Sequence, residues 1–292
     1  MKRPTIEARF YETYHFVSAV NNILEDPIEY IRSLHDFYGD GSHLRFALPY
    51  ERYSAFHQFL EFVLDELLTD ATEKYDLDQW RGQAEKFKDI PSVRADFVAP
   101  ILPIERAIRH HGYDYESFAD WLSSQAISIA NADSDSIYDY LNELRISQSY
   151  EDLLMQSVRE AFFLLFANRK VLMLFNDMIA REMRDTTLDE VPEESATLFL
   201  RSGVLKRAYM PEWARRAVFY RDRGLCVSCN CDLSGILNVW SEDHFDHIVA
   251  LAAGGLNDVT NIQLLCGACN LKKGDSEAFT SNSYEDWYPL SP

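Results

Sequence analysis

Long apolar runs are missing from this chain of 292 residues. A membrane-spanning helix needs about 18 or more consecutive apolar residues. The most apolar stretch, residues 161–175, is interrupted by Asn168, Arg169 and Lys170, which is more typical of a buried helix. The first ten residues also lack the apolar core of a secretory signal. We therefore expect a soluble, cytoplasmic protein with no membrane partner.

Two further kinds of pattern are absent. No glycine-rich phosphate-binding fingerprint occurs, so we expect no ATP dependence within this chain. No internal repeat of fixed period occurs either, which excludes a solenoid architecture. The length instead predicts two domains, each large enough to bury a core, at roughly 100–200 residues per domain.

Positive charge is scarce, and its distribution is uneven. The net charge is −19; residues 1–200 carry 19 basic and 36 acidic side chains, a net of −17. Residues 201–292 carry 9 basic and 11 acidic side chains, and seven of those nine basic residues lie between Arg201 and Arg223. Long-range attraction of the whole protein to nucleic acid is therefore weak, although the basic strip can still contact phosphates locally.

Cysteine is also rare, yet four of the five cysteines form two CxxC pairs separated by 36 residues. The pairs are Cys226 with Cys229, and Cys266 with Cys269. Two such pairs can place four thiolates around one structural Zn²⁺. Four free thiols or two disulfides are the alternatives, and the lack of a secretory signal disfavours the disulfides. We expect the fifth cysteine, Cys231, to be an unligated thiol.

Residues 5–184 have the apolar spacing of helices and little of the alternation of strands. The spacing predicts an all-α domain of roughly seven or eight helices, given the usual helix length of 8–20 residues. The polar, acidic segment 185–200 contains Pro192 and is the best candidate for a linker. We therefore predict an acidic helical domain at 1–184, a linker at 185–200 and a second domain at 201–292.

The second domain has a recognisable order of elements. Residues 211–224 predict a short amphipathic helix, with Trp213, Ala217 and Tyr220 on one face and the arginines largely elsewhere. Two strands are predicted at 239–248 and 262–266, joined by a loop that contains Gly254 and Gly255. A helix is expected to begin near Asn270.

This order of elements, with Asp246-His247 ending the first strand, Asn261 before the second and Asn270 opening the helix, resembles the HNH endonuclease family. The resemblance covers about residues 211–275, and the cysteine pairs, Gly-Gly and the Cys-Asn-x-x-Lys ending all fall in the family's order. It implies a small ββα-metal fold that is stabilised by zinc. The predicted fold class is therefore mainly α, with an N-terminal helical domain and a small C-terminal ββα domain.

The resemblance also implies roles for individual residues. His247 would be the general base that takes a proton from the attacking water, and Asn261 would orient it by bonding to nearby backbone. Asp246 and Asn270 would ligate one Mg²⁺ or Mn²⁺, since oxygen ligands suit a hard cation. Asn270 stands where histidine is commoner in the family, a variant that weakens metal affinity.

Several further residues are candidates for contact with nucleic acid. Lys273 follows the motif and is expected beside a phosphate, and the strip contributes Arg215, Arg216 and Arg223. On a strand, His244 would share a face with Asp246, which leaves open a further metal or phosphate ligand or a merely exposed histidine.

These observations predict a metal-dependent endonuclease that cuts DNA, suited to a bacterial antiviral defence or restriction system. The acidic helical domain would restrain cutting until a partner or ligand engages it, because it repels DNA. It could also mediate binding to a regulatory protein or a second copy. Two alternatives remain open: a nuclease subunit that is active only with a partner protein, and a noncatalytic zinc-stabilised module that binds nucleic acid.

Overall fold

The chain is mainly helical, as predicted. A computed structural model describes residues 5–90, 97–234, 244–274 and 278–288. The α-helices within these ranges are α1 (Thr13–Glu25), α2 (Ile31–Tyr38), α3 (Ala55–Glu73), α4 (Leu77–Phe87), α5 (Pro103–His111), α6 (Phe118–Ser124), α7 (Ser134–Arg145), α8 (Gln148–Leu165), α9 (Arg169–Asp185), α10 (Glu193–Ala196), α11 (Glu212–Arg221) and α12 (Gly267–Lys273).

The described strands form two small antiparallel sheets. Strand β1 (Phe199–Arg201) pairs with β2 (Val204–Leu205), and β3 (Phe245–His247) pairs with β4 (Ile262–Leu264). The second pair corresponds to the strands predicted at 239–248 and 262–266, although residues 239–243 lie outside the described residues. With α12 following β4, this region has the predicted strand, strand, helix order.

The chain divides into two compact units, one of which comprises residues 1–16 and 60–161. Helix α5 shows how this first unit is held locally. Pro103 begins the helix, and Gly112 ends it in a left-handed conformation, with φ of 72°. The carboxylate of Glu105 is buried and accepts from the backbone N–H groups of Leu102 at 2.6 Å and Phe118 at 2.9 Å. It thereby joins α5 to the start of α6.

The second unit comprises residues 17–59 and 162–292 and contains the β3–β4 hairpin. Its core surrounds that hairpin, because β4 is buried on both faces. The buried apolar side chains of this cluster are Tyr50, Met210, Ala214, Val218, Cys226, Val227, Leu233, Phe245, Val259, Ile262, Leu264 and Leu265. Elements from residues 17–59 thus share a core with the hairpin.

The loop between β3 and β4 anchors this N-terminal segment. Fully buried Asp258 accepts from the backbone N–H of Ala55, at the start of α3, at 3.0 Å, and also from Thr260. The Tyr50 N–H donates to the Asn257 carbonyl at 2.8 Å. Gly255 permits the tight loop, since a Cβ atom there would lie 2.0 Å from the Val249 carbonyl oxygen.

Helix α11 differs from the prediction in its rotation. Its fully buried residues are Ala214, Arg215 and Val218, while Trp213 and Ala217 of the predicted face are partly buried against the same core. Tyr220 is instead exposed. Arg215 can lie on the buried side because the long aliphatic stem of an arginine packs against apolar surface, so the most deeply buried positions lie about one residue from the predicted ones.

The division predicted at residues 185–200 stays a prediction. The segment contains a 3₁₀ turn at Leu188–Glu190, helix α10 and the first residues of β1. Helix α9, which precedes it, belongs to the same compact unit as the hairpin. Among the described residues, no helix combines the length and apolar character that crossing a membrane requires.

Candidate active site and metal centre

The β3–β4 hairpin places the predicted catalytic residues on adjacent strands. In its register Asp246 lies opposite Gln263, and His247 lies opposite Ile262. The side-chain amide of Gln263 donates towards Asp246 Oδ2 at 3.4 Å. Gln263 was not singled out from the sequence, although the pairing of two predicted strands points to it once their register is known.

His247 is buried, with 4% of its surface exposed, and its Nε2 atom makes no hydrogen bond with the residues that the structure describes. Burial lowers its pKa to about 3, and the positive charges of Arg207 and Lys273 act in the same direction, against a hydrogen bond with Asn257. The imidazole is therefore neutral at neutral pH. Arg207 and Asn257 are neighbours that no sequence motif had marked.

Lys273, on α12, brings the helix against β3. Its Nζ atom lies 3.0 Å from Asp246 Oδ2 and donates to the His247 carbonyl at 2.7 Å. The Lys273 side chain is only 3% exposed, so it serves here as a partner of Asp246 rather than as an exposed phosphate contact. Asn270 precedes Lys273 by three residues, and side chains at that spacing share a helix face. The helix therefore presents Asn270 and Lys273 on one side.

Asn261 does not bond to His247 itself but holds the backbone that follows it. Its Oδ1 atom accepts from Val249 N–H at 2.8 Å, and its Nδ2 atom donates to the carbonyls of Val249 and Leu256 at 3.0 and 2.9 Å. Its own carbonyl accepts from Ile248 N–H at 2.6 Å. These bonds fix the chain one and two residues beyond His247.

His244 lies at the other end of β3. Its Nδ1 atom is 3.2 Å from the Leu265 carbonyl oxygen, and its side chain is half-buried. The carbonyl of His244 in turn accepts from Leu265 N–H at 2.9 Å. His244 thus adds one residue pair, with Leu265, to the β3–β4 pairing.

The cysteines gather beside this hairpin, and all five are free thiols. The sulfur atoms of Cys226, Cys229, Cys231 and Cys266 lie within 4.8 Å of one another. Tetrahedral zinc with Zn–S bonds of about 2.3 Å needs sulfurs about 3.8 Å apart; Cys229 and Cys266 are 3.8 Å apart. The cluster is therefore suited to a structural zinc ion.

The fourth ligand differs from the simplest expectation. Cys231, expected to be an unligated thiol, belongs to the mutually close set of four, whereas Cys269 does not. The Cys269 thiol nevertheless interacts with Cys226, Cys229 and Cys266. Five thiols thus surround a position that takes four ligands.

Local hydrogen bonds favour thiolate at Cys229 and Cys266, whereas burial and the neighbouring thiols raise the pKa of Cys231, and the pKa of Cys269 is raised as well. The N–H of Cys231, together with the thiols of Cys231 and Cys226, lowers the pKa of Cys229 to about 6. The N–H and thiol of Cys269 lower the pKa of Cys266. Thiolate is the form that binds metal.

The three arginines proposed for nucleic-acid contact differ in exposure. Arg215 is 1% exposed, and its Nη2 atom donates to the Tyr209 hydroxyl at 2.7 Å, so in this conformation it offers no surface to a phosphate. Arg216 is exposed and lies 3.6 Å from Glu212. Arg223 is partly exposed and contacts Glu285 and Trp287. Only Arg216 and Arg223 can reach a ligand at the surface.

Comparison with known protein families agrees with this site. Residues 225–276, which include both CxxC pairs, β3, β4 and α12, match the family model of the HNH endonuclease. The resemblance predicted for about residues 211–275 is thus confirmed for this part of the chain. No curated protein and no solved structure matches the chain. The HNH domain indicates a nuclease-type enzyme and implies a nucleic-acid substrate.

Proposed function

We propose that the protein is a metal-dependent endonuclease that hydrolyses phosphodiester bonds of DNA, with His247 as its general base. The observation that carries this proposal is a buried imidazole whose Nε2 atom lacks a partner among the described residues, next in sequence to a carboxylate on the same strand. Most buried side-chain nitrogens have a hydrogen-bond partner, so the unpartnered Nε2 atom of His247 is consistent with a role in chemistry.

The donor set fits a hard divalent cation. Asp246 contributes a carboxylate and Asn270 an amide oxygen, the ligand types that Mg²⁺ and Mn²⁺ prefer. Lys273 already lies 3.0 Å from Asp246 Oδ2, so a bound ion would share this carboxylate with the lysine. When bound, the ion would offset the negative charge that develops on the scissile phosphate.

The remaining steps fall to side chains of this chain. His247 takes the proton of the attacking water at Nε2, and Asn261 keeps the backbone beyond the histidine in place through its bonds to Val249 and Leu256. Lys273 binds the His247 carbonyl and so holds α12 at the correct distance from β3. Zinc held by the cysteine cluster would stabilise this arrangement.

The rest of the chain would restrain the nuclease. Residues 1–200 carry a net charge of −17, which repels a polyanion. Such restraint suits an effector of a bacterial antiviral defence or restriction system, acting in the cytoplasm and released by a regulatory partner or by self-association. The free state of all five cysteines supports a reducing compartment.

The test is incubation of purified protein with supercoiled plasmid, with and without Mg²⁺ or Mn²⁺. Wild type should nick or linearise the plasmid only when metal is added, and His247→Ala should not. His15→Ala, which removes an exposed histidine, is the matched control and should cut like wild type.

The outcomes separate the alternatives. Cleavage by His247→Ala at the wild-type rate would refute the assignment of the base. If wild type were inactive alone but active with a cell extract, the protein would be a nuclease subunit that needs a partner. If it bound DNA and never cut, the noncatalytic module would be correct.

A further inference from the structure

The segment 278–288, here called the C-terminal strap, forms no helix or strand but is fixed at three places in the second unit. Its sequence from residue 279 is Phe-Thr-Ser-Asn-Ser-Tyr-Glu-Asp-Trp-Tyr, rich in aromatic and acidic side chains. A segment of this composition that lacks regular structure needs specific contacts to hold it. Two of its three attachments are to arginines.

The first attachment lies beside the candidate active site. The N–H of Phe279 donates to the Ile248 carbonyl at 3.0 Å, one residue beyond His247. The carbonyl of Phe279 accepts from the Gln263 side chain at 2.8 Å, and the same amide faces Asp246. The strap therefore begins against the hairpin that carries the proposed catalytic residues.

The second attachment is to Arg169, at the start of α9. Its guanidinium donates to the carbonyls of Ser281, at 3.1 Å, and Ser283. It also lies 4.1 Å from the centre of the Tyr284 ring, whose hydroxyl accepts from Arg169 N–H at 2.8 Å. The arginine thus binds two oxygen acceptors and one flat ring of the strap.

The third attachment is to Arg223, which contacts the same two kinds of group. Its Nη1 atom lies 3.5 Å from the Glu285 carboxylate and donates to the Glu285 carbonyl at 3.0 Å. Its guanidinium carbon lies 3.7 Å from the centre of the Trp287 ring, although 86% of the Trp287 surface is exposed. A cation–π contact to so exposed a tryptophan contributes little and is easily displaced.

A cavity of about 460 Å³ lies between the strap and the arginines. Its wall includes Arg169, Arg221 and Arg223. Arg221 pairs with Asp222 at 2.8 Å, and its Nη1 atom has no hydrogen-bond partner among the described residues. The acidic side chains that the strap adds to this wall are Glu285 and Asp286.

The groups that the strap offers to the arginines are those of a nucleic-acid strand. Carbonyl and carboxylate oxygens bind the guanidinium groups as phosphate oxygens would, and the ring centres of Tyr284 and Trp287 lie 4.1 and 3.7 Å from guanidinium carbons, the distance at which unpaired bases contact arginine. We propose that Arg169 and Arg223 form a binding surface for a strand with unpaired bases, and that the strap occupies this surface as an internal competitor. The proposal rests on the nucleic-acid substrate of the proposed function.

The experiment measures binding and does not depend on cleavage. Every variant carries His247→Ala, and the Kd of a fluorescent single-stranded oligonucleotide and of its duplex is measured by anisotropy without added Mg²⁺. Glu285→Gln with Trp287→Ala removes the ion pair and the ring contact that the strap makes to Arg223, keeps the bond to the Glu285 carbonyl and leaves the arginine intact. The matched control, Glu193→Gln with Tyr138→Ala, removes one exposed carboxylate and one exposed aromatic ring elsewhere.

The strap variant should bind the single strand about threefold to tenfold more tightly than its parent, as expected from losing one exposed ion pair and one cation–π contact. The Kd of the control variant should equal that of its parent, and the affinity of the strap variant for the duplex should rise less than its affinity for the single strand. Adding Arg223→Ala to the strap variant should abolish the gain; because this combination restores the net charge of the parent, a gain that survived it would not act through Arg223 and would overturn the proposal. Unchanged or weaker binding by the strap variant would overturn the proposal, and an equal gain for the duplex would overturn the assignment to unpaired bases.

Failure of this proposal is distinguishable from failure of the nuclease. Tighter binding with no plasmid cleavage by wild type would uphold the competing strap and reject catalysis. Plasmid cleavage by wild type with no change in Kd would support the nuclease and reject the competing strap.

Discussion

The cysteine cluster shows most directly what single residues determine. The sequence pairs Cys266 with Cys269, but the structure brings Cys231 into the set of four sulfurs that lie within 4.8 Å of one another. Zinc accepts four thiolates, and five are at hand. Either Cys231 or Cys269 can therefore complete a set whose other members are Cys226, Cys229 and Cys266.

We expect Cys231→Ser and Cys269→Ser each to retain one tetrahedral metal ion, because the remaining thiol takes the fourth position. The double variant should lose it. Substitution with Co²⁺ checks this, since the thiolate-to-metal absorption of a four-sulfur site differs from that of a three-sulfur site. Loss of the four-sulfur spectrum in Cys269→Ser alone would show that Cys231 does not replace it.

Partly buried His57 gives a second prediction at the scale of one residue. Its ring stacks on Phe162 at 3.7 Å between centroids, and its Nδ1 atom accepts from Ser54. Burial lowers the pKa of His57 to about 4 from 6.5. In the unfolded chain, His57 is therefore protonated below about pH 6.5, whereas in the folded chain it is protonated only below about pH 4. The free energy of unfolding consequently falls as pH falls through this window.

The free energy of unfolding should decrease by about 2–3 kcal/mol from this residue between pH 7 and pH 4. Urea denaturation at a series of pH values measures it. His57→Gln should remove this part of the pH dependence, while exposed His15→Gln should leave it unchanged. Parallel pH profiles for wild type and His57→Gln would contradict the prediction.

At the scale of elements, the β3–β4 hairpin depends on one buried amide. Asn261 is fully buried and satisfies three backbone groups of the connecting loop, two on Val249 and one on Leu256. Asn261→Ala would leave these groups without partners. Each unsatisfied buried group costs about 1–3 kcal/mol, partly offset by water that enters the space.

Asn261→Ala should therefore lower the free energy of unfolding by about 2–4 kcal/mol. Exposed Asn131→Ala is the control, with an expected change within about 0.5 kcal/mol. Chemical denaturation gives both values. A loss of cleavage without loss of stability would instead place Asn261 in the chemistry alone.

The elements also show where prediction from sequence succeeds. The hairpin and α12 were predictable because Asp246-His247 and the CxxC pairs fix their order along a short stretch of chain. The side of α11 that is most deeply buried was not predictable, since Ala214 and Ala217 are equally apolar and Arg215 can bury its aliphatic stem. The role of Lys273 as partner of Asp246 depends on how closely α12 approaches β3, which spacing along the chain does not specify.

At the scale of the whole molecule, contacts between residues distant in sequence could not be predicted from the composition of the segments. The acidic segment 185–200 looks like a linker because it is polar and contains Pro192. Yet Tyr50 binds Asn257, Ala55 binds Asp258, and the guanidinium of Arg169 lies 3.6 Å from the Asp222 carboxylate. Each of these contacts joins a residue before 185 to the predicted second domain, residues 201–292. Pairings of such sequence separation leave no local pattern from which to infer them.

A fragment of residues 201–292 should consequently fail to fold, because buried Asp258 loses the Ala55 N–H, the core loses Tyr50, and Asp222 keeps Arg221 but loses Arg169. A chain that keeps residues 17–59 and 162–292, joined by a flexible linker of about eight residues, should fold. The two joined ends are near each other, since the rings of Phe56 and Phe162 lie 6.2 Å apart, and such a linker reaches roughly 15 Å.

The shortened chain also tests the restraint attributed to acidic charge. The removed residues 1–16 and 60–161 carry 12 basic and 23 acidic side chains, a net charge of −11, so their removal should strengthen binding to DNA and raise the rate of plasmid cleavage. Because the gain is electrostatic, it should shrink as salt is raised. A folded, zinc-loaded short chain that cut no faster than the intact protein at low salt would reject electrostatic restraint by this unit. Folding of the 201–292 fragment alone, seen as cooperative unfolding, would instead show that the HNH region needs none of the helices before it.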